Sequence, residues 1–328
     1  MRRPGPGRGA RARPRGRRAA ALLALLALAA CSGPSGVPLI GPPAPPGTLS
    51  VYPGARWPGT IYVAQGGRIW KLKGGRISAV TPSGQSWDYP AASPDGRVTA
   101  AAQIGKGHAE IATGGADFAN LSPLTHPVAD LLKDSNDLKP AVSPDGRRLA
   151  FISDRSAAYS DEAVWEGPFS PYRPRQVSFP PDGSGGDDSP AYLADGSAVL
   201  LVMWRAGRAE LGQVTLPAAR PRVVSTFTDQ DVMDPAPGPD GRLAAIRRRA
   251  GRSDVAISAT PAGDNPTLVT TWGDARQPAW SPDGRSLVFI SPHGGSFDLY
   301  QIPAAGGRPQ RLTWGADLDA NARPAWIA

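Results

Sequence analysis

The sequence predicts an all-β chain folded as a six-bladed β-propeller of four-stranded blades, the first blade closed by the C-terminal strand. Three observations carry this reading. A proline recurs at Pro90, Pro140, Pro190, Pro235, Pro278 and Pro324, at spacings of 50, 50, 45, 43 and 46 residues. Five residues after each of the first five prolines stands an Asp-Gly pair, beginning at Asp95, Asp145, Asp195, Asp240 and Asp283. Each unit also holds short runs of branched and aromatic residues broken by Gly, Pro, Asp and Ser, which are strand and hairpin signals. A repeat of this length means a propeller or a solenoid, and the hairpin turns inside each unit speak against a β-helix.

The elements follow in the same order in every unit. The last repeat shows "SLVFIS", "DLYQIP" and "PQRLT"; the first shows "TIYVA", "RIWKL" and "RISAVT"; the fourth shows "AVLLVMW", "ELGQVTL" and "RVVST". The segment around each repeating proline supplies a further strand, since proline is tolerated at a strand start. Between it and the next strand lies Ser-Pro-Asp-Gly. There proline presets φ for a type I turn, aspartate bonds the nearby backbone, and glycine takes the left-handed position of a bulged hairpin. "LADG" at Leu193–Gly196 and "GPDG" at Gly238–Gly241 are variants, and the off-register "PPDG" at Pro180–Gly183 reads as loop. The repeated aspartates fall in different blades and cannot converge on one reaction centre. The first unit begins with a second strand and the chain ends on "RPAWIA", a first strand, so the two ends are expected to share a blade and hide the sheet edges.

Ahead of the repeats, residues 1–18 carry eight arginines and no acid, and Ala19–Ala30 is apolar. That pattern reads as a secretory signal, too short to span a bilayer as a lasting helix. Its end, "LAAC", resembles the bacterial lipobox, which implies cleavage before Cys31, lipidation of that residue with a palmitate-type chain, and a place on the outer side of the cell membrane. Arg17-Arg18 leaves a Tat route open beside Sec. Residues 31–58, with eight prolines after Cys31, have the composition of an extended tether, with "TLSVYP" able to dock as an edge. The propeller is expected over 59–328.

Charge and cysteine content narrow the function. The formal +8 comes from the leader: once its eight arginines are removed, 28 basic residues face 28 acidic ones. The counterion-release drive for nucleic acid then has no global source. Cys31 is the single cysteine, so no disulfide holds the exported fold. Gly-x-Ser-x-Gly is absent, no catalytic residue stands out, and no metal or other cofactor is expected.

The pieces "PAWSPDG", "LVFIS", "DLY" and "QRLT" resemble the repeat of the TolB-type propeller, as found in TolB and in the propeller part of the actinobacterial lipoprotein LpqB. The resemblance covers Gly59 to Ala328. It implies a scaffold for protein contacts, and the same repeat also serves as the gating domain of prolyl oligopeptidase-like enzymes. The sequence is expected to lack the α/β partner domain of TolB, the extra N-terminal domain of LpqB and any hydrolase domain.

Propeller ligands meet one end of the central channel, and the loops leading into the first strands place Trp87, Asp88, His126, Asp137, Asp188, Asp234, Arg276 and Arg323 at one such end. Arg155, His108 and His293 join them from the loops between second and third strands. The histidines fit no local ligand pattern, and "GGDD" at Gly185–Asp188 lacks the alternating oxygen spacing of a calcium loop. Trp280 and Trp326 read as packing residues, while Trp87, Trp272 and Trp314 stand at loop starts where binding aromatics sit. "RRRAGR" at Arg247–Arg252 is a basic cluster that suits anionic lipid or an acidic partner, or a solvated blade edge. The functional expectation is a lipid-anchored, non-catalytic scaffold for an envelope protein or a cell-wall or signalling component. The alternative is an envelope enzyme, of lyase or cyclase type, working at the channel mouth.

Overall fold

A computed structural model describes residues 48–125, 135–155, 161–217, 221–225 and 230–328. The signal segment, Cys31, most of the proline-rich stretch and His126 lie outside them.

Six four-stranded antiparallel sheets form the blades. Their innermost strands are Ala325–Ile327 in blade 1, then Ser86–Ala92, Asp137–Val142, Asp187–Tyr192, Asp231–Pro237 and Arg276–Trp280 in blades 2 to 6. Blade 1 takes its other strands, Thr60–Gln65, Arg68–Lys73 and Arg76–Ala79, from the opposite end of the chain. Ile61 pairs with Trp326 and Thr60 with Ile327, so the two ends close the ring as the order of pieces predicts. Among the described residues the single helical element is the short 3-10 turn Ala116–Phe118, and no helix is long and apolar enough to cross a membrane.

The second strands are apolar on both faces because each is covered by a neighbouring blade on either side. Leu287–Ile290 and Val199–Val202 are buried throughout. Six apolar clusters result among the described residues, one in each seam between adjacent blades. Among the described residues a hydroxyl after the outer strand ties it back in five blades: Thr81, Thr125, Ser178, Thr270 and Thr313 accept from the amides of Ile69, Ile111, Val164, Val255 and Leu299 at 3.0, 2.8, 2.8, 2.9 and 2.9 Å.

The Ser-Pro-Asp-Gly turns behave as their chemistry dictates. Ser93, Ser143 and Ser281 each donate to the following aspartate at 2.6 Å. Those aspartates also accept the amides of Arg97, Arg147 and Arg285, and the serine hydroxyl bond foremost holds their carboxyls below the usual range. Gly96, Gly146 and Gly284 all sit at φ +68°, in the left-handed region. "PPDG" is loop, as expected.

The folded part begins earlier than composition suggests. Ser50 and Val51, inside the stretch expected as tether, pair with Trp314 and Thr313, and Tyr52 N donates to Leu312 O at 2.8 Å. Leu49, Val51 and Tyr52 are apolar enough to pack on the seam between blades 6 and 1. Gly59 is therefore not where packing starts.

Candidate functional site: the central channel

The inner strands surround an axial cavity of about 530 Å³ to which all six blades contribute. Its width follows from the sequence. Between first and second strands the register slips at each repeating proline in blades 2 to 6. The residue before that proline is the bulged one: Tyr89, Lys139, Ser189, Asp234 and Gln277 stand at φ +52°, +50°, +52°, +50° and +48°. Proline disfavours the right-handed helical region for its predecessor, and a non-glycine residue held left-handed marks a strained, over-determined position. Arg323 takes the corresponding place before Pro324. Five of these six residues line the cavity, and Asp234 lies behind, held by Gln277.

The cavity therefore has two unlike ends. Toward the turns it is rimmed by Pro94, Pro144, Ala194, Pro239 and Pro282, and its walls are alanine, proline and the rings of Tyr192, Trp280 and Trp326. At the pre-proline ring it is polar. Lys139 Nζ donates to both oxygens of Asp188 at 2.8 and 2.7 Å. Asp234 accepts from the Gln277 amide at 3.2 Å, from Gln277 Nε2 at 3.1 Å and from the Ser189 hydroxyl at 3.4 Å. Burial pushes the Asp234 carboxyl up and the Arg323 guanidinium down, the latter opposed by the fields of Asp234 and Asp188. Beside the ring, burial and the neighbouring Asp319 carboxyl push Asp88 up to about 8.

Comparisons with known proteins bear on this architecture. Residues 181–328 match the family model of the TolB beta propeller domain. The propeller is similar to the TolB type. The fold resembles TolB from Acinetobacter baumannii, with a TM-score of 0.64 and 18% identity over 82% of this chain and 66% of that one, so this chain spans just under two thirds of that protein's length. It also resembles a chain of a nidogen/laminin complex, with a TM-score of 0.62 and 10% identity over 81% of this chain and 97% of that one. A puromycin-hydrolyzing peptidase of Mycobacterium tuberculosis aligns at a TM-score of 0.55 and 17% identity, over 82% of this chain and 46% of that one. The sequence matches none of the curated proteins.

The propeller brings some expected site residues together and disperses others. Arg323 lines the channel within the electrostatic reach of Asp234 and Asp188, and Asp88 lies within reach of Lys139 in the same ring. Asp137 and Arg155 are spent on each other: Arg155 Nη2 meets the fully buried Asp137 at 2.6 Å, and its guanidinium lies over the rings of Phe151 and Trp165 at 5.3 and 5.0 Å. Neither is free for a partner, because the second strand returns antiparallel and sets the end of one against the start of the other. The same pairing recurs as Arg205–Asp187 at 2.8 Å and Arg248–Asp231 at 2.7 Å. Trp87 is a packing residue in the seam between blades 1 and 2, not a surface aromatic. Arg276 is exposed, with its guanidinium over Phe297 at 5.7 Å.

Outside the channel the remaining motifs resolve into local contacts. His293 stacks on Trp272 at 4.0 Å, and Trp272 sits edge-on to Phe289 and Tyr300, a packing role. Among the described residues no three of His, Cys, Asp and Glu are gathered to hold a metal. The "GGDD" acids are engaged by Arg205 and Lys139. In "RRRAGR", Arg247 is buried and donates to Gly263 O at 2.8 Å, and Arg248 pairs with Asp231, which breaks up the basic cluster. Sequence reasoning missed Tyr89, Lys139, Ser189 and Gln277. Their signal was present: each is the residue before a repeating proline.

Proposed function

We propose that this TolB-type propeller is a lipid-anchored, extracytoplasmic, non-catalytic scaffold that receives a segment of another envelope protein in its central channel. The cavity of about 530 Å³ carries the reading. Its size falls in the range of ligand sites, and apolar walls with a few convergent polar groups are the chemistry of such sites. The neutral balance after the leader argues against nucleic acid, and "LAAC" argues for an anchor at Cys31. Likeness to TolB and to a chain of a nidogen/laminin complex favours a protein partner.

The experiment is photo-crosslinking from the intact lipoprotein in its own membranes, with two variants. Ala194 is an exposed residue at the cavity rim, so Ala194→Trp narrows the mouth while leaving the fold intact. Capture of a discrete partner by the wild type and its loss in Ala194→Trp, at unchanged melting temperature, is the expected result. Equal capture by both proteins overturns the channel reading. Cys31→Ser is expected to leave an unacylated precursor, and acylation of that variant overturns the anchor.

A further inference from the structure

Of the cationic and anionic groups in the pre-proline ring, Lys139, Asp188 and Asp234 all have hydrogen-bonded partners. Arg323 differs. Among the described residues none hydrogen-bonds or ion-pairs with its guanidinium, and its Nε is buried without a partner. Asp234 and Asp188 act on it only through space. A guanidinium carries five N–H donors, and taking it out of water unpaired is costly. It lines the channel together with Ser189, Gln277, Lys139 and the apolar residues Trp280, Pro324 and Trp326.

We infer that Arg323 is the receptor for a carboxylate presented by an apolar, extended segment of the protein partner, its side chain or terminus entering the channel from the turn face. This rests on the channel being the binding site. Two features select that chemistry. Arg323 is the ring cation without a hydrogen-bonded partner, so one carboxylate satisfies it, whereas a phosphate dianion would bring a second negative charge close to Asp188 and Asp234. The walls above are proline, alanine and tryptophan, which match apolar side chains flanking the acid. A planar guanidinium also takes a carboxylate through two parallel hydrogen bonds, which fixes the segment's depth.

The test selects binders from a displayed library of random decapeptides on the wild type, Arg323→Met, Arg323→Lys and Ala194→Trp. Wild-type binders are expected to carry Asp or Glu among apolar residues. A resynthesised binder should bind about ten- to a hundredfold more tightly than its Gln or Asn twin, the worth of hydrogen bonds to a charged group. Arg323→Met should erase that difference and Arg323→Lys keep part of it. Arg323→Met should also melt close to the wild type, because the half-buried guanidinium makes no hydrogen bond in the fold and touches Asp234 only through its field. Apolar binders without acids, selected alike by wild type and Arg323→Met, overturn the carboxylate inference and leave the channel standing. Binders that Ala194→Trp retains, or no binders at all, overturn both. A clear loss of stability in Arg323→Met overturns the inference as well, since the arginine is then structural.

Discussion

The carboxyl group of Asp88, on the inner strand of blade 2, interacts with that of Asp319, on the loop that leads into the closing strand of blade 1. Burial is the larger cause and the neighbouring acid the next, and together they push Asp88 up to about 8. The unfolded chain releases that proton near the ordinary carboxylate value of 3.8, so the native state binds more protons between about pH 4 and pH 8 and stability falls as pH rises through that window. Asp88→Asn keeps an uncharged hydrogen-bonding group there. Melting curves across that range should show the wild type losing more stability than the variant on the way to pH 8. Parallel curves would remove Asp88 as the titrating group.

The repeated ion pairs at the strand ends give a second prediction. Asp187 is fully buried against Arg205 at 2.8 Å, and its carboxyl is raised by burial despite that partner. Removing one member of a buried pair leaves the other charge stranded, which costs about 3–5 kcal/mol. Arg205→Ala should therefore destabilise the protein strongly in chemical denaturation, with Arg205→Ala/Asp187→Leu recovering much of the loss. A single variant as stable as the wild type would mean that water reaches the aspartate freely.

Ring closure is testable at Trp326. Its ring fills the seam between blades 6 and 1, and its Nε1 donates to Pro58 O at 2.8 Å. Trp326→Ala should cost about 3–5 kcal/mol, as large-to-small changes of buried aromatics do. Deleting Arg323–Ala328 removes the whole inner strand of blade 1 and exposes the edge of Thr60–Gln65. The truncated chain should melt earlier and over a broader range in calorimetry. Unchanged melting would show that closure contributes nothing.

The fold was legible because its signals are local and repeated. "RPAWIA" shares Pro-Ala-Trp in register with "RQPAW", so closure could be read from letters alone. The site was legible only in part. Asp137 and Arg155 were expected as separate binding residues, and their distance in sequence hides that the second strand brings them together. Tyr89, Lys139, Ser189 and Gln277 were passed over because a strand pattern of alternating faces gives a bulged residue no inward assignment. Left-handed backbone at these four positions accompanies their place on the channel wall. Trp87 misled for the opposite reason: it follows a loop but belongs to a seam, which composition cannot distinguish from a surface aromatic.

The turn face carries the last prediction, because the same Ser-Pro-Asp-Gly motif serves the fold through its glycine and rims the cavity through its proline. A Cβ on Gly284 would meet Pro239 and Asp240 of the neighbouring blade at 3.3 Å, at a φ of +68° that side chains rarely adopt. Gly284→Ala should therefore cost roughly 1 kcal/mol or more in stability and leave the channel's chemistry intact. Ala194→Trp does the reverse, since residue 194 is exposed and surface substitutions stay within about 0.5 kcal/mol, while its bulk stands at the rim. Arg276→Glu at the opposite face completes the set: it alters charge on an exposed residue that does not line the cavity. Melting temperature and partner capture measured on the same three proteins should separate cleanly, with stability lost in the first, capture lost in the second and both retained in the third. If Arg276→Glu alone abolishes capture, the partner docks on the loops leading into the inner strands, and the channel is only a by-product of the six-fold packing.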